Sequence, residues 1–83
     1  MSQIILIADK SITIQKIVEL TFQEEDFEVI AASNGKEALE KMEQVYPSIV
    51  LADISLPEIN GYELCRIIRE EPKYAKFSNL PVL

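Results

Sequence analysis

The chain has 83 residues, of which 48% are hydrophobic and 27% charged, and this length and composition suit one small packed domain rather than a disordered segment. There is no histidine, which excludes a histidine base and a histidine metal ligand. There is only one cysteine, Cys65, which excludes an intrachain disulfide and a cysteine-based zinc site. The formal net charge of −6 would repel phosphates, so we expect no direct binding of nucleic acid or of anionic membranes.

The apolar runs are too short for a membrane segment. The longest wholly apolar run is Ile4–Ala8, whereas a membrane-spanning helix needs roughly 20 apolar residues. A signal peptide requires a basic segment before its apolar run, and no basic segment precedes this run. We therefore expect a cytoplasmic protein with no membrane segment.

The first part of the chain predicts a strand, a helix and a second strand. Ile4–Ala8 is apolar without alternation, as in a parallel strand that is covered on both faces, and it ends in Asp9. Ser11 can cap the helix that follows. The predicted apolar face of this helix repeats at spacings of three and four residues and consists of Ile14, Ile17, Val18 and Thr21. After an acidic turn, the β-rich segment Phe27–Ala32 predicts the second strand.

The middle of the chain repeats this alternation. Asn34 and Glu37 have the spacing of a capping box at the start of a second helix. Pro47 ends that helix because proline cannot continue its hydrogen bonds. Ser48–Ala52 is a third apolar strand, and it ends in Asp53.

The last part predicts a third helix and a fourth strand. Residues 54–61 form a loop, and Asn60 can cap a helix that closes at Glu71. Residues 72–79 are expected to form a polar loop before a fourth strand, Leu80–Leu83. The order β-α-β-α-β-α-β is typical of an α/β fold with a doubly wound parallel sheet.

Two aspartates follow apolar strands in this pattern, at the point where each strand ends. If the first and third strands are neighbours, Asp9 and Asp53 converge at one edge of the sheet, where ligands of such folds bind. A pair of carboxylates can hold Mg²⁺, and a carboxylate beside Mg²⁺ can be a nucleophile toward phosphorus. Each aspartate by itself is better explained as a cap of the following helix or turn, but the pair on adjacent strands, with the loop after Asp53, favours the ligand site.

Three segments carrying these residues resemble the receiver domain of bacterial response regulators. They are ILIADKS at 5–11, SNGKEALE at 33–40 and VLADISLPEINGYEL at 50–64. The resemblance covers the whole chain, in the family's order and spacing. It implies a flavodoxin-like fold and a role in two-component signalling.

The resemblance also implies roles for particular residues. Asp53 lies at the position of the phosphoacceptor, Asp9 at that of an acidic metal ligand, and Ser55 at that of a residue whose backbone carbonyl binds the metal. A histidine kinase or phosphotransfer partner would phosphorylate Asp53 with Mg²⁺ bound, and an output domain or partner protein would respond to the change in conformation. We expect a switch in a phosphorelay rather than an enzyme, since a phosphohydrolase would usually carry a second acid at the position of Ser55.

Lys10 departs from the family pattern, which usually has a second acidic metal ligand there. A protonated lysine cannot ligate Mg²⁺, so Lys10 could pair with Asp9 or Asp53 and produce a pseudo-receiver that acts as a phosphorylation-independent interaction module. Alternatively, Lys10 points to solvent and leaves a weaker metal site in place. The sequence leaves both interpretations open.

The chain stops at the predicted fourth strand, whereas the family's fold continues with further helices and a fifth strand. We therefore interpret residues 1–83 as a receiver-like domain that is incomplete at its C-terminus. Apolar surface should be exposed as a result, which favours a dimer or a swapped assembly.

Three other residues are interpreted as structural or as solvated. We expect Cys65 to be a buried structural thiol, because it lies in the apolar stretch at 64–68. Arg69 is expected to be solvated on the outer face of the third helix, and Tyr74 to be a surface aromatic residue.

Overall fold

A computed structural model describes residues 3–83. Their helices and strands follow the predicted alternation, with one addition near the C-terminus. The elements are β1 (Gln3–Ala8), α1 (Ile12–Phe22), β2 (Phe27–Ala32), α2 (Gly35–Val45), β3 (Ile49–Ala52), α3 (Gly61–Glu70) and a 3₁₀ helix (Pro72–Phe77). Within residues 3–83, no helix is long and apolar enough to cross a membrane.

The sheet is parallel and has the strand order β2-β1-β3. Because the order reverses at β1, right-handed crossovers place α1 and α2 on opposite faces of the sheet. The predicted α/β fold with a doubly wound parallel sheet is therefore confirmed. β1 is the central strand, and four of its residues, Ile5 to Ala8, are buried, which explains its uninterrupted apolar sequence.

The predicted fourth strand, Leu80–Leu83, is reduced to one parallel bridge between Val50 and Val82. Val50 donates its N–H to the carbonyl of Pro81 (3.0 Å) and accepts from the N–H of Leu83 (2.8 Å). Pro81 has no N–H to contribute to a ladder, which limits how far regular pairing can extend here.

The helix starts are capped as the sequence predicts. The hydroxyl of Ser11 accepts from the N–H of Ile14, and the side-chain oxygen of Asn60 accepts from the N–H of Glu63. Asn34 does the same for Glu37 at 2.8 Å. The carboxylate of Glu37 reaches back to the N–H of Ser33 rather than to that of the cap itself, so the capping box is displaced by one residue.

The main hydrophobic core lies between the sheet and α2, α3 and the 3₁₀ helix. Leu6 and Ala8 of β1 point into it, because alternate residues of a strand share a face. Helix residues complete it, principally Leu39, Met42, Leu64 and Ile68.

The predicted apolar face of α1 is wrong. Ile14 is 41% exposed and Ile17 is 52% exposed, whereas the residue that α1 buries is Gln15. Leu20, which lies on the same side of the helix, is also exposed. We call Ile14, Ile17 and Leu20 the α1 patch. The expected exposure of apolar surface is therefore confirmed, and the reason is that α1 is the one helix that residues 3–83 place on this face of the sheet.

The segment predicted as a polar loop at 72–79 is instead a 3₁₀ helix that belongs to the core. Tyr74, expected at the surface, is only 7% exposed, and Phe77 is also buried. Arg69 is exposed, as predicted, but its head group also bonds backbone carbonyls, which the sequence did not predict. The guanidinium donates to the carbonyls of Phe77 (3.2 Å), Ser78 (3.1 Å) and Leu80. Arg69 thus ties the chain after the 3₁₀ helix to α3.

We expect Arg69→Met to lower the free energy of unfolding by about 2 kcal/mol, because hydrogen bonds to a charged donor are lost from three carbonyls. Urea unfolding followed by circular dichroism measures this change. Arg66→Met on the same helix is the matched control, because Arg66 is also exposed but, within residues 3–83, donates to no carbonyl, and its effect should stay within about 0.5 kcal/mol. Equal effects of the two substitutions would contradict the role of Arg69.

Candidate functional site

The structure brings Asp9 and Asp53 together at the carboxyl edge of the sheet. Ala8 of β1 is the register partner of Ala52 of β3, and each aspartate is the next residue after this pair. The N–H of Asp53 continues the ladder by donating to the carbonyl of Ala8 at 2.9 Å. Neighbouring strands lie about 4.8 Å apart, so the two aspartates occupy adjacent positions at this edge, as expected if β1 and β3 are neighbours.

Both aspartates are held by the same local turn. Oδ1 of Asp9 accepts from the N–H of Ser11 at 2.8 Å, and Oδ1 of Asp53 accepts from the N–H of Ser55 at 3.0 Å. This hydrogen bond to the residue two positions later is the usual turn made by aspartate. It occupies one oxygen of each carboxylate and leaves the other oxygen available to a ligand.

The start of α3 packs directly on the loop that follows Asp53. A Cβ atom at Gly61 would lie 2.8 Å from the carbonyl oxygen of Asp53 and 2.9 Å from the Cα atom of Ile54. Both distances are shorter than real Cβ contacts, and both neighbours are backbone atoms that cannot turn away. Glycine is therefore required at this position, and the packing fixes the backbone of Asp53 against the helix.

Lys10, where the chain departs from the family pattern, is exposed, whereas Asp9 and Asp53 are half-buried. Among residues 3–83, no ion pair joins Lys10 to either carboxylate; the ion pairs there involve Lys16, Lys41, Lys73 and Lys76. The ammonium group of Lys10 therefore does not occupy the space between the two aspartates.

The oxygen atoms that the site offers suit Mg²⁺ better than a metal ion that needs many protein ligands. Within residues 3–83, no group of three or more histidine, cysteine or acidic side chains is placed to hold a metal ion, and the candidate site offers two carboxylates. Mg²⁺ commonly binds through one or two carboxylates and keeps several waters. Ser55 follows Asp53 in an exposed turn, where its carbonyl can supply a further oxygen ligand.

Sequence reasoning missed Gln15, which contacts the site from α1. Its side-chain amide donates to the backbone carbonyl of Asp9 at 2.6 Å. Helical periodicity places residue 15 near residue 18 but almost opposite residue 17, and a glutamine gives no apolar signal of its own. Its position six residues after Asp9, one helical turn into α1, could have indicated that Gln15 lies near the site.

Cys65 is half-buried rather than fully buried. It lines a small open cleft between β3, α3 and the C-terminal segment, together with Ile54, Tyr62 and Leu83. The cleft is largely apolar and adjoins the loop after Asp53.

Comparison with known proteins identifies the family of this chain. A family model described as the response regulator receiver domain matches residues 5–83. This chain therefore belongs to the response regulator receiver domain family.

The relatives are longer than this chain. It is 37% identical over 79 residues to a probable transcriptional regulator ycf27 of Pyropia yezoensis, covering 95% of this chain and 30% of that protein. It is 39% identical over 70 residues to the chemotaxis protein CheY of Listeria monocytogenes, covering 82% and 59%. The solved structure of chemotaxis protein CheY4 of Vibrio cholerae matches with a TM-score of 0.83 at 30% identity, covering 99% of this chain and 66% of that one.

Gly61→Ala tests the contact between α3 and the loop after Asp53. Alanine favours a helix over glycine by up to about 1 kcal/mol, but a clash with rigid backbone typically costs about 1–3 kcal/mol. We therefore expect a net loss of stability in urea unfolding, together with NMR shifts of the amides of Asp53 and Ile54. The exposed residue Arg66 of α3 supplies the control substitution Arg66→Ala, which should leave both quantities nearly unchanged. Stabilisation by Gly61→Ala would contradict the close packing.

Proposed function

We propose that this chain is a phosphoacceptor receiver module and that Asp53 accepts the phosphoryl group from a histidine kinase or phosphotransfer protein. The observation that carries the proposal is the placement of Asp9 and Asp53 at register-matched positions where the strand order reverses. Ligands of doubly wound sheets bind at this point. Membership of the receiver family supports the choice of phosphoryl transfer.

The chemistry requires one oxygen of Asp53 to attack the phosphorus of a phosphohistidine. An O–P bond forms, the N–P bond breaks, and the imidazole leaves with its electron pair, so that Asp53 becomes an acyl phosphate. The N–H of Ser55 holds Oδ1 and thereby orients the carboxylate. Positioning and electrostatics account for most of the catalysis of such transfers.

Asp9, Asp53 and the backbone carbonyl of Ser55 would hold Mg²⁺, which neutralises the charge of the transferred group when it is bound. Asp9 supplies its oxygen from the neighbouring strand. Its Oδ1 is held by Ser11, which fixes the direction in which the other oxygen points. Two carboxylates side by side repel one another, and a divalent cation removes that repulsion.

The exposure of Lys10 supports phosphorylation over the pseudo-receiver alternative. A pseudo-receiver needs the ammonium group between the two carboxylates, and no such ion pair exists among residues 3–83. The loss of an acidic ligand at position 10 should still weaken metal binding, because ligand charge contributes to the affinity.

The output of the proposed switch is the effect of phosphorylation on an output domain or a partner protein. We propose that phosphorylation changes the charge at the carboxyl edge of the sheet and biases a two-state element, which an output domain or partner protein detects. The module would act in the cytoplasm as a component of a phosphorelay. Ser55 cannot protonate a leaving group as a carboxylic acid would, so we expect no multiple turnover of phosphoesters.

Intact-mass spectrometry after incubation with a small acyl phosphate and Mg²⁺ tests the phosphoacceptor. We expect the parent chain to gain one phosphoryl group and Asp53→Asn to gain none, because the amide is a far poorer nucleophile than the carboxylate. Lys10→Asp should be labelled at a lower Mg²⁺ concentration than the parent, because it adds an acidic ligand.

Each alternative predicts a different pattern of labelling. Labelling of Lys10→Asp alone would identify a pseudo-receiver. Labelling of Asp53→Asn as well would place the acceptor elsewhere, and labelling of none of the three chains would contradict the proposal. Asp26→Asn, at an exposed turn far along the sequence from the site, controls for the loss of one negative charge.

We also propose that the 83-residue chain self-associates through the α1 patch, because exposed apolar side chains at Ile14, Ile17 and Leu20 favour burial against a second copy. Sedimentation velocity over a range of concentrations should show species larger than a monomer. Ile17→Lys should shift the distribution toward the monomer, whereas Gln44→Lys at an exposed position of α2 should not. A clean monomer of the parent at high concentration would contradict this proposal.

A further inference from the structure

Gln15 is the one buried polar residue that residues 3–83 contain, at 8% exposed. It lies in α1, on the side of the helix that faces the sheet. Burying an amide is unfavourable unless its hydrogen bonds are made. The partners of Gln15 therefore show why a glutamine occupies a position where an apolar residue would pack more simply.

The amide of Gln15 joins three parts of the fold next to the candidate site. Its Nε2 donates to the backbone carbonyl of Asp9 at 2.6 Å and to the hydroxyl of Ser33 at 3.4 Å. Asp9 ends β1, and Ser33 follows β2. The N–H of Ser33 is bound by Glu37 of α2, so Gln15 connects α1 to both strand ends and, through Ser33, to the start of α2.

The backbone of Asp9 is fixed from both sides by these contacts. Its N–H donates to the carbonyl of Ala32 of β2 at 2.9 Å, and its carbonyl accepts from Gln15. The peptide that contains this carbonyl joins Asp9 to Lys10, and the next peptide carries the N–H of Ser11 that holds the carboxylate of Asp9. Rotation of that peptide would move both the carboxylate and the N–H that orients it.

We propose that Gln15 is a positioning residue that sets the direction of the Asp9 carboxylate toward Asp53 and toward a bound cation. The inference rests on the proposed function, since it assigns Gln15 to the same site. An amide suits the role because it donates a hydrogen bond without carrying charge. A lysine or arginine in its place would also neutralise the carboxylates and compete with the cation.

Titration with Mg²⁺ alone, followed by NMR of the ¹⁵N-labelled chain, tests this proposal without a phosphoryl donor. We expect Gln15→Met, which keeps the length of the side chain and removes the donor, to weaken Mg²⁺ binding by roughly 10–100-fold, as is typical when a partner behind a metal ligand is lost. Gln44→Met is the matched control, because Gln44 is an exposed glutamine of α2. Its effect should stay within about twofold.

Labelling by a small acyl phosphate separates positioning from a general loss of structure. With Gln15→Met, the Mg²⁺ concentration for half-maximal labelling should rise, while the rate at saturating Mg²⁺ stays close to that of the parent. A purely structural role would lower the saturated rate and leave the Mg²⁺ dependence unchanged, and that result would overturn the proposal. If the parent binds Mg²⁺ but is not labelled, the proposed function fails while the role of Gln15 is still decided by the NMR titration.

Two further measurements decide the case if Gln15→Met does not fold. Ser33→Ala keeps the bond to Asp9 and removes only the longer contact, so its Mg²⁺ affinity should stay near that of the parent. In the parent chain, the side-chain amide signals of Gln15 should shift when Mg²⁺ is added, and those of Gln44 should not. Unchanged Gln15 signals during a titration that shifts the amide of Asp9 would overturn the proposal.

Discussion

The pairing of β1 with β3 is the interaction on which the candidate site depends. Its register joins Ala8 to Ala52, and the carboxylates of Asp9 and Asp53 stand next to each other because each follows that pair. A slip of one residue would turn alternate side chains of a strand to the wrong face and would place Leu6 outside the main core. The burial of β1 on both faces therefore protects the geometry of the acidic pair.

Two neighbouring carboxylates repel each other, so a fold that keeps them adjacent must hold them in place. Peptide N–H groups do this locally, since Ser11 and Ser55 each donate to the aspartate two residues earlier. Gln15 acts from further away, through the backbone of Asp9. All of these contacts leave one oxygen of each carboxylate available, which is the arrangement that a divalent cation and a phosphoryl group require.

The position of each aspartate at a strand end and the helix caps could be predicted because their signals are local. Asp53 ends an apolar run, and Asn60 caps a helix through an N–H three residues later, so short stretches of sequence contain the whole interaction. The partners of Arg69 lie 8 to 11 residues away in an irregular segment. The burial of Tyr74 likewise depends on how that segment folds back on α3, and no periodic pattern describes it.

The sequence by itself determined the order of the elements, the caps and the positions of the two aspartates, because these depend on hydrogen bonds and periodicities within a few residues. Only the tertiary structure decided which strands are neighbours, and hence that Asp9 and Asp53 meet. It also decided that α1 buries Gln15 and exposes Ile17, contrary to the apolar periodicity of that helix. The physical reason is that the sequence pattern shows which side of a helix is apolar, whereas burial depends on whether another part of the protein packs against that side. The α1 patch stays exposed because residues 3–83 supply nothing that covers it.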